Sequence, residues 1–291
     1  MAATPKTIKE LHHYLRNELR TLHPPEEADA MGYLIIEHTC SLSRIEFLRS
    51  PSLPVTPGSW SKVKDILGEL KHRRPLQYII GHTTFYDHKI RLNPHVLIPR
   101  PETEELVHWF LQVVNTPAAP LNILDTGTGS GCIAIALAAR IPQVKIFACD
   151  VSEKALVTAR QNARANNVSI TFFQMDIQNP DKTFDPGFFN HIISNPPYIP
   201  ISDKAALQPE VSRYEPAKAL FVPEDDPLIF YRAILNFSSE ALHPDGMLFF
   251  EVHERFSGSV AELCRHTGFP DTVIRKDLNG KERMIRARRK S

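Results

Sequence analysis

The first quarter of the chain repeats apolar residues at the three- and four-residue spacing that is typical of amphipathic helices. The same spacing predicts helices over Ala28–His38, Ser41–Leu48 and Ser59–Lys71. In the stretch that precedes them, the apolar positions are Ile8, Leu11, Leu15, Leu19 and Leu22. We therefore expect residues 1–74 to form a small helical bundle domain.

The pattern changes over residues 75–100. Tyr78–Gly81 and Thr83–Tyr86 are rich in β-branched and aromatic residues, and Lys89–Leu92 alternates with them. Runs of this kind favour short strands. We predict that this segment is a β-hairpin linker between two domains.

Residues 101–291 alternate short apolar strands with helices. The predicted strands are Leu121–Leu124, Lys145–Ala148, Ser169–Phe173, His191–Ser194 and Met247–Val252, and the predicted helices are Glu104–Val114, Ile133–Arg140, Glu153–Asn166, Pro227–Ala241 and Gly258–Thr267. Thr103 is the expected N-cap of the first of these helices. The alternation predicts an α/β domain with a mainly parallel sheet and helices on both faces. The Asn279–Gly280 pair predicts a closing hairpin, which makes the last strand antiparallel.

Composition narrows the class of protein. Of 291 residues, 42% are hydrophobic and 23% are charged, which is enough for a packed core. The net charge of +1 excludes a surface that is basic throughout. No apolar run is long enough to span a bilayer, and Met1–Leu15 has no apolar core of a signal peptide. Four scattered cysteines without a CxxC spacing favour a reducing cytoplasm, and no metal-ligand motif is present.

A glycine-rich loop follows the strand Leu121–Leu124. Its sequence, from Asp125 to Gly131, reads Asp-Thr-Gly-Thr-Gly-Ser-Gly. Glycines allow a ligand to approach the main chain, and the helix that follows favours an electron-rich group at its N-terminus. The spacing is GxGxG, which differs from the GxGxxG of dinucleotide folds, and no Lys-Ser or Lys-Thr pair follows as in a phosphate-binding P-loop.

Two acidic residues follow the next two strands. Asp150 lies about 20 residues beyond the glycines, where an acid accepts hydrogen bonds from ribose hydroxyls. Asp176 and Ile177 follow the third strand, where they would meet the adenine. Ribose and adenine without a required pyrophosphate point to S-adenosylmethionine as the cofactor, with NAD as the alternative at this stage.

The sequence Asn195-Pro196-Pro197-Tyr198 comes directly after the fourth strand. Prolines fix the backbone and donate no hydrogen bond, so the Asn195 side-chain oxygen and the Pro196 carbonyl form two rigid acceptors. Their natural guest is a planar NH2 group, and the Tyr198 ring can lie on its flat face. Hydrogen bonds from both N–H groups to these acceptors would orient the nitrogen toward a methyl sulfonium. Catalysis would then depend mainly on orientation and electrostatics.

These motifs together resemble the class I S-adenosylmethionine-dependent N-methyltransferases. The segments Pro75–Gly81 and Leu97–Glu104, with the late Asp-x-x-Gly-x-x-Arg of Asp277–Arg283, are similar to the HemK/PrmC family. The resemblance implies a Rossmann-like catalytic domain, an N-terminal substrate-docking domain and methylation of the glutamine N5 in the Gly-Gly-Gln motif of peptide chain release factors. It also implies a cytoplasmic enzyme that needs no membrane and no direct nucleic acid, and we expect a monomer.

The resemblance also assigns roles to particular residues. It implies catalytic roles for Asn195, Pro196, Pro197 and Tyr198, cofactor binding by Gly127, Thr128, Gly129, Ser130, Gly131, Asp150, Asp176, Ile177 and Asn195, and a substrate pocket lined by Phe85, Arg100, Glu102 and Glu104.

Two other functions remain open on the residues alone. An N6-adenine methyltransferase acting on DNA or RNA would use the same Asn195–Tyr198 motif on a flipped base, since adenine also presents a planar NH2 group. The balanced charge and the lack of a further recognition domain speak against it. A non-catalytic scaffold is the third possibility, and the intact Asp150, Asn195 and Tyr198 speak against that one.

Overall fold

A computed structural model describes residues 4–114 and 121–289 of the chain. The chain forms two compact units, Met1–Ile80 and Gly81–Ser291. Positions 1–3, 115–120 and 290–291 of the predicted domains lie outside the described residues.

The first unit is helical, as the sequence predicts. Its helices are α1 (Ile8–Leu19), α2 (Pro25–Cys40), α3 (Arg44–Arg49), α4 (Pro57–Lys71) and α5 (Leu76–Ile80). The predicted apolar face of α1 is buried, with Leu11, Leu15 and Leu19 fully inaccessible to solvent. Proline is tolerated in the first turn of a helix, so α2 and α4 begin earlier than predicted, each at a proline.

The strand tendency predicted for Tyr78–Gly81 is wrong. Residues Leu76–Ile80 form the short helix α5 instead. The backbone N–H groups of Tyr78 and Ile79 donate to the carbonyl of Pro75, at 3.1 and 3.2 Å. A proline at the start favours a helical turn through its fixed φ, and the turn buries Leu76 and Tyr78. Tertiary burial here overrides the strand propensity of the β-branched residues.

The second unit begins with the predicted hairpin. Strands β1 (His82–Phe85) and β2 (His88–Arg91) pair antiparallel. Tyr86 and Asp87 join them, with φ values of +47° and +68°. Two residues with positive φ fit the twist of a two-residue hairpin turn.

A seven-stranded sheet forms the centre of the second unit. The remaining elements are α6 (Pro101–Val113), β3 (Asn122–Thr126), α7 (Cys132–Arg140), β4 (Lys145–Asp150), α8 (Glu153–Ala165), β5 (Ile170–Gln174), β6 (Phe189–Ser194), β7 (Ile199–Pro200), α9 (Pro209–Tyr214), β8 (Phe221–Val222), α10 (Ile229–Ala241), β9 (Leu242–Glu251), α11 (Ser257–His266), β10 (Asp271–Lys276) and β11 (Glu282–Arg288). The strand order is β10-β11-β9-β6-β3-β4-β5.

The direction of the strands agrees with the prediction. Strands β5, β4, β3, β6 and β9 run parallel, whereas β11 is antiparallel to both β9 and β10. Within the sheet, Thr126 at the end of β3 lies beside Ser194 of β6 and Cys149 of β4. The carboxyl ends of three central strands therefore meet at one edge, which is where parallel α/β sheets bind ligands.

Helix α6 corrects a second prediction, because it begins at Pro101 with Arg100 as its N-cap. Thr103 is therefore inside the first turn and is not the cap. Its side chain is 2% exposed and faces other buried groups. Proline is favoured at the first position of a helix, so the helix begins at Pro101, before the predicted cap.

Candidate functional site

A cavity of about 570 Å³ opens at the carboxyl edge of the sheet. The predicted site residues that line it are Gly127, Gly129, Asp150, Asp176, Ile177, Asn195, Pro196 and Pro197. They follow four different strands, and only the fold brings them together. The volume lies within the range of small-ligand and cofactor sites.

Gly127 and Gly129 form the floor of the cavity. Their φ values are +73° and +55°, a region in which side chains are strained. A Cβ added at either glycine would meet no heavy atom within 4 Å. The main chain is thus bare on the side that faces the cavity, which leaves room for a ligand.

Three other residues of the loop face the protein. A Cβ at Gly131 would lie 3.2 Å from the Ala159 Cβ of α8, so this glycine allows close packing of the helix. The Thr128 hydroxyl donates to Asp125 Oδ2 at 2.6 Å, and the Ser130 carbonyl accepts from Asn162 Nδ2 at 2.9 Å. Thr128, Ser130 and Gly131 are not among the residues that line the cavity, and their contacts hold the loop in shape.

Asp125 is fully buried behind the loop. One of its carboxylate oxygens accepts from the Thr128 hydroxyl and from the Ala134 N–H, while Oδ1 has no partner among the described residues. Burial raises the pKa of Asp125 to about 7, because a charged carboxylate is costly to desolvate.

Asp150 ends β4 and reaches the cavity. Its two oxygens accept from the backbone N–H groups of Gly129 and Ser152, both at 2.9 Å. Burial raises the pKa of Asp150, and these backbone hydrogen bonds partly offset the effect. The carboxylate is thus fixed in direction, and its remaining lone pairs are able to accept hydroxyl groups of a ribose.

Asp176 and Ile177 follow β5 at another wall of the cavity. Asp176 is exposed and its Oδ1 accepts from the Gln178 N–H at 2.9 Å. Ile177 is half-buried and packs against the core of the sheet. A carboxylate next to an apolar side chain suits the edge and the face of a purine.

Asn195, Pro196 and Pro197 line the cavity directly after β6. Asn195 Nδ2 donates to the Thr103 hydroxyl at 3.1 Å. This contact occupies the nitrogen of the amide. The Asn195 Oδ1 is then the atom available to accept from a guest.

Tyr198 does not line this cavity. Its hydroxyl donates to Glu251 Oε1 at 2.9 Å, and its ring lies 6.0 Å from the ring of His253. Burial raises the pKa of Tyr198 well above its usual value, and the carboxylate of Glu251 adds to the effect. The tyrosine is therefore neutral and fixed beside the Asn195–Pro197 segment.

Glu251 is 1% exposed at the end of β9. Its Oε2 accepts from the Thr103 hydroxyl at 2.6 Å. Burial raises the pKa of Glu251, whereas hydrogen bonds from Thr103 and Tyr198 and the charge of Arg283 lower it.

The predicted substrate-pocket residues do not line the cavity. Arg100 forms an ion pair with the buried Glu215 at 2.5 Å. Glu104 Oε1 accepts from the Tyr86 N–H at 2.7 Å, at the turn of the β1–β2 hairpin. Phe85 is 1% exposed, and Glu102 is half-buried on the first turn of α6.

The sequence reasoning missed Thr103 and Glu251 as members of the site. The sequence predicts Thr103 as a helix cap within the Arg100–Glu104 stretch, and it predicts no contact of Thr103 or Glu251 with Asn195. They lie 148 positions apart in the chain, so no local spacing could reveal their contact. The only available signal was that Glu251 ends a strand of the parallel sheet, at the edge where ligands bind.

Within residues 4–114 and 121–289, no three His, Cys, Asp or Glu side chains are grouped to hold a metal ion. Over the same residues, every helix is too short or too polar to cross a bilayer.

Comparison with known protein families gives two matches. The model of the PrmC N-terminal domain matches residues 10–81, and the model of the methyltransferase small domain matches residues 107–210. A release factor glutamine methyltransferase of Flavobacterium psychrophilum is 39% identical over 92% of this chain and 94% of its own length. One of Bacteroides thetaiotaomicron is 36% identical over 95% of this chain and 98% of its own length.

Solved structures support the fold. The crystal structure of a methyltransferase from Pyrococcus furiosus superposes with a TM-score of 0.51 at 18% identity, covering 79% of this chain and all of the other. Together with the mainly parallel sheet and its antiparallel last strand, this confirms the class I methyltransferase fold predicted from the sequence.

Proposed function

Since the chain belongs to the family of release factor glutamine methyltransferases, we propose that it methylates the side-chain amide nitrogen of the glutamine in the Gly-Gly-Gln motif of peptide chain release factors. The observation that carries the proposal is the shared cavity. Its walls combine a bare glycine loop and a fixed carboxylate with the Asn195–Pro197 acceptors.

S-adenosylmethionine is the methyl donor, and it supplies an electrophilic methyl group on a sulfonium. The cavity fits such a molecule in volume and in chemistry. Gly127 and Gly129 leave open space above the main chain, Asp150 offers oxygens to a ribose, and Ile177 offers an apolar face to the adenine. We propose that other residues also take part in cofactor binding. Thr128, Ser130 and Gly131 would shape the loop, and Asp176 and Asn195 would contact the cofactor at the cavity wall.

The acceptor side uses orientation rather than a strong base. The lone pair of an amide nitrogen is delocalised, so the nitrogen is a poor nucleophile. Asn195 Oδ1 and the Pro196 carbonyl would accept hydrogen bonds from the two N–H groups of the amide. These bonds would hold the nitrogen in the direction of attack on the methyl group. The new carbon–nitrogen bond would form as the sulfur–methyl bond breaks, which would leave S-adenosylhomocysteine as a neutral thioether. The methylated nitrogen would then release one N–H proton to solvent, so no side-chain base is required before attack.

Other parts of the proposal concern domains and partners. Residues 1–74 are proposed as the substrate-docking domain, 75–100 as a hairpin linker and 101–291 as the catalytic domain. The substrate-pocket role of Phe85, Arg100, Glu102 and Glu104 stays a proposal, and none of the four lines the cavity in this structure. We propose a monomer that acts in the cytoplasm, where release factors work, and that needs no direct contact with nucleic acid.

One assay tests the reaction. Purified release factor, DNA and RNA are each incubated with the protein and methyl-labelled S-adenosylmethionine. We expect label only in the release factor, on the glutamine of its Gly-Gly-Gln motif by mass spectrometry, and a factor carrying Gln→Glu at that position serves as the control. Label in nucleic acid and none in the release factor would contradict the proposal.

A further inference from the structure

Four side chains form a continuous hydrogen-bonded chain next to the cavity. Asn195 Nδ2 donates to Thr103 Oγ1 at 3.1 Å, and the Thr103 hydroxyl donates to Glu251 Oε2 at 2.6 Å. The Tyr198 hydroxyl donates to the other oxygen, Glu251 Oε1, at 2.9 Å. We call Asn195, Thr103, Glu251 and Tyr198 the acceptor network.

The direction of each hydrogen bond follows from chemistry. The hydroxyl donors of Thr103 and Tyr198 and the charge of Arg283 favour the ionised form of Glu251 against the effect of its burial, and in that form the carboxylate is an acceptor only. The Thr103 hydroxyl has a single proton, which it gives to Glu251. Its oxygen must then accept from Asn195, which places the amide nitrogen toward Thr103 and the amide oxygen away from it. An asparagine has two nearly isosteric orientations, and this network selects one.

We propose that Thr103 and Glu251 are positioning residues that fix the orientation of the Asn195 amide and so make the site selective for an NH2 guest. The inference rests on the proposed function for its substrate, a glutamine amide. In the reversed orientation Asn195 would present N–H groups to the guest, and these would repel the N–H groups of the amide. The same reversed orientation would instead attract a carboxylate.

Burial makes the selection effective. Thr103 is 2% exposed and Glu251 is 1% exposed, so water does not readily replace either partner. The network also ties Tyr198 to the same carboxylate. One buried group therefore orients both the hydrogen-bonding side chain and the aromatic ring of the Asn195–Tyr198 segment.

The test compares variants of Thr103 in the full-length protein. Thr103→Val removes the hydroxyl and keeps the shape, so Asn195 is free to take both orientations. We expect kcat for the release factor to fall about tenfold to a hundredfold, while the dissociation constant of S-adenosylmethionine changes less than threefold. Thr103→Ser restores the hydroxyl and should recover most of kcat.

Two further variants separate positioning from stability. Thr103→Val leaves Glu251 Oε2 without a donor, which threatens folding. Thr103→Cys keeps a donor for Glu251 but offers Asn195 only a weak sulfur acceptor, so it should fold and still lose activity. Ser238→Ala removes another buried hydroxyl, one that donates to the Ile234 carbonyl within α10, and should leave kcat unchanged.

The decisive readout is discrimination between an amide and a carboxylate. Peptides with Gly-Gly-Gln and Gly-Gly-Glu compete for the site, and their inhibition constants are compared. The wild type should prefer the Gln peptide, and the preference should shrink at least fivefold in Thr103→Val and Thr103→Cys and return in Thr103→Ser. If Thr103 had only a structural role, its substitution would weaken the binding of both peptides by the same factor. An unchanged preference together with kcat within twofold of wild type would overturn the inference.

An NMR measurement on Asn195 tests the positioning role without any substrate, so it remains informative if the proposed function is wrong. The side-chain amide resonances of Asn195, assigned by their loss in Asn195→Asp, are followed by NMR with bound S-adenosylmethionine. The hydrogen-bonded proton should move upfield in Thr103→Val and return in Thr103→Ser. If the wild type fails to methylate release factors but this shift occurs, the positioning role stands and the proposed substrate is wrong. If the resonance does not move, the positioning role is wrong whatever the substrate.

Discussion

The two ends of the cavity are built differently. At the glycine-loop end, backbone groups hold the site, since Asp150 accepts from the N–H groups of Gly129 and Ser152. At the Asn195 end, side chains hold it, through Thr103 and Glu251. The hydrogen bonds of the first end lie between residues 129 and 152, whereas the second end joins segments that are 148 positions apart.

This difference separates binding from chemistry. A backbone-built end tolerates many side chains as long as the glycines and Asp150 remain, and it presents a general face to a nucleoside. A side-chain network depends on the direction of each proton and therefore distinguishes one acceptor from another. We expect changes at the first end to alter cofactor affinity and changes at the second to alter turnover.

Asn195→Ala should have the largest effect. It removes one of the two acceptors for the substrate amide, so kcat should fall about 10²- to 10³-fold, a larger effect than the loss of the Asn195 contact has on cofactor affinity. Steady-state kinetics and calorimetry measure the two quantities. Asn236→Ala, on the exposed face of α10, is the control. A turnover number equal to wild type would show that the acceptor role is wrong.

Asp150→Ala should act on the other end. Loss of the hydrogen bonds that the Asp150 carboxyl oxygens would accept from the ribose should weaken S-adenosylmethionine binding about tenfold to a hundredfold. At saturating cofactor, kcat should change much less. Titration calorimetry gives the dissociation constant, with the exposed Asp185→Ala as control. An unaltered constant would refute the ribose assignment.

Gly129→Ala should weaken S-adenosylmethionine binding about tenfold, because Gly129 has a φ of +55° and lines the cavity, where an added Cβ would stand in open space. Gly258→Ala is a matched control, since Gly258 lies exposed in α11 and an added Cβ there also meets no atom within 4 Å. Calorimetry and thermal unfolding are measured for both variants. Equal cofactor affinity in the two variants would show that the glycine loop does not contact the cofactor.

The buried Asp125 predicts a smaller, pH-dependent effect. Its pKa is about 7 in the folded protein and 3.8 without burial, so the folded form holds a proton that the unfolded form releases. The free energy of unfolding should therefore fall as the pH rises toward 7 and level off above it. Between pH 6 and pH 7 the loss from this group should be about 1 kcal/mol.

Asp125→Asn should remove this contribution. Urea unfolding at several pH values measures the difference between variant and wild type, and Asp185→Asn controls for the loss of a surface charge. A difference that stays constant from pH 6 to pH 7 would show that Asp125 is already ionised in the folded protein.

The same contrast explains what the sequence could predict. The parallel strands and the helices of the second unit follow from alternating apolar stretches, and the glycine spacing and Asp150 lie in local motifs. The predictions for Tyr78–Gly81 and for the Thr103 cap failed. In both cases a proline started a helix and burial fixed the result.

The acceptor network could not be predicted, because it depends on long-range packing. The sequence predicts Thr103 as an ordinary helix cap and Glu251 as a residue near the end of a strand. Only the fold brings α6 and β9 together, so that Thr103 contacts both Glu251 and Asn195. Residues that act through tertiary hydrogen bonds leave no periodic signal in the chain.

A crystal structure with S-adenosylhomocysteine and a Gly-Gly-Gln peptide tests the central claim most directly. We predict that the glutamine amide nitrogen lies within hydrogen-bonding distance, about 2.7–3.2 Å, of both Asn195 Oδ1 and the Pro196 carbonyl oxygen. We also predict that Asn195 Nδ2 still donates to Thr103. A structure in which the peptide amide sits elsewhere, or in which Asn195 presents its nitrogen to the guest, would contradict the account.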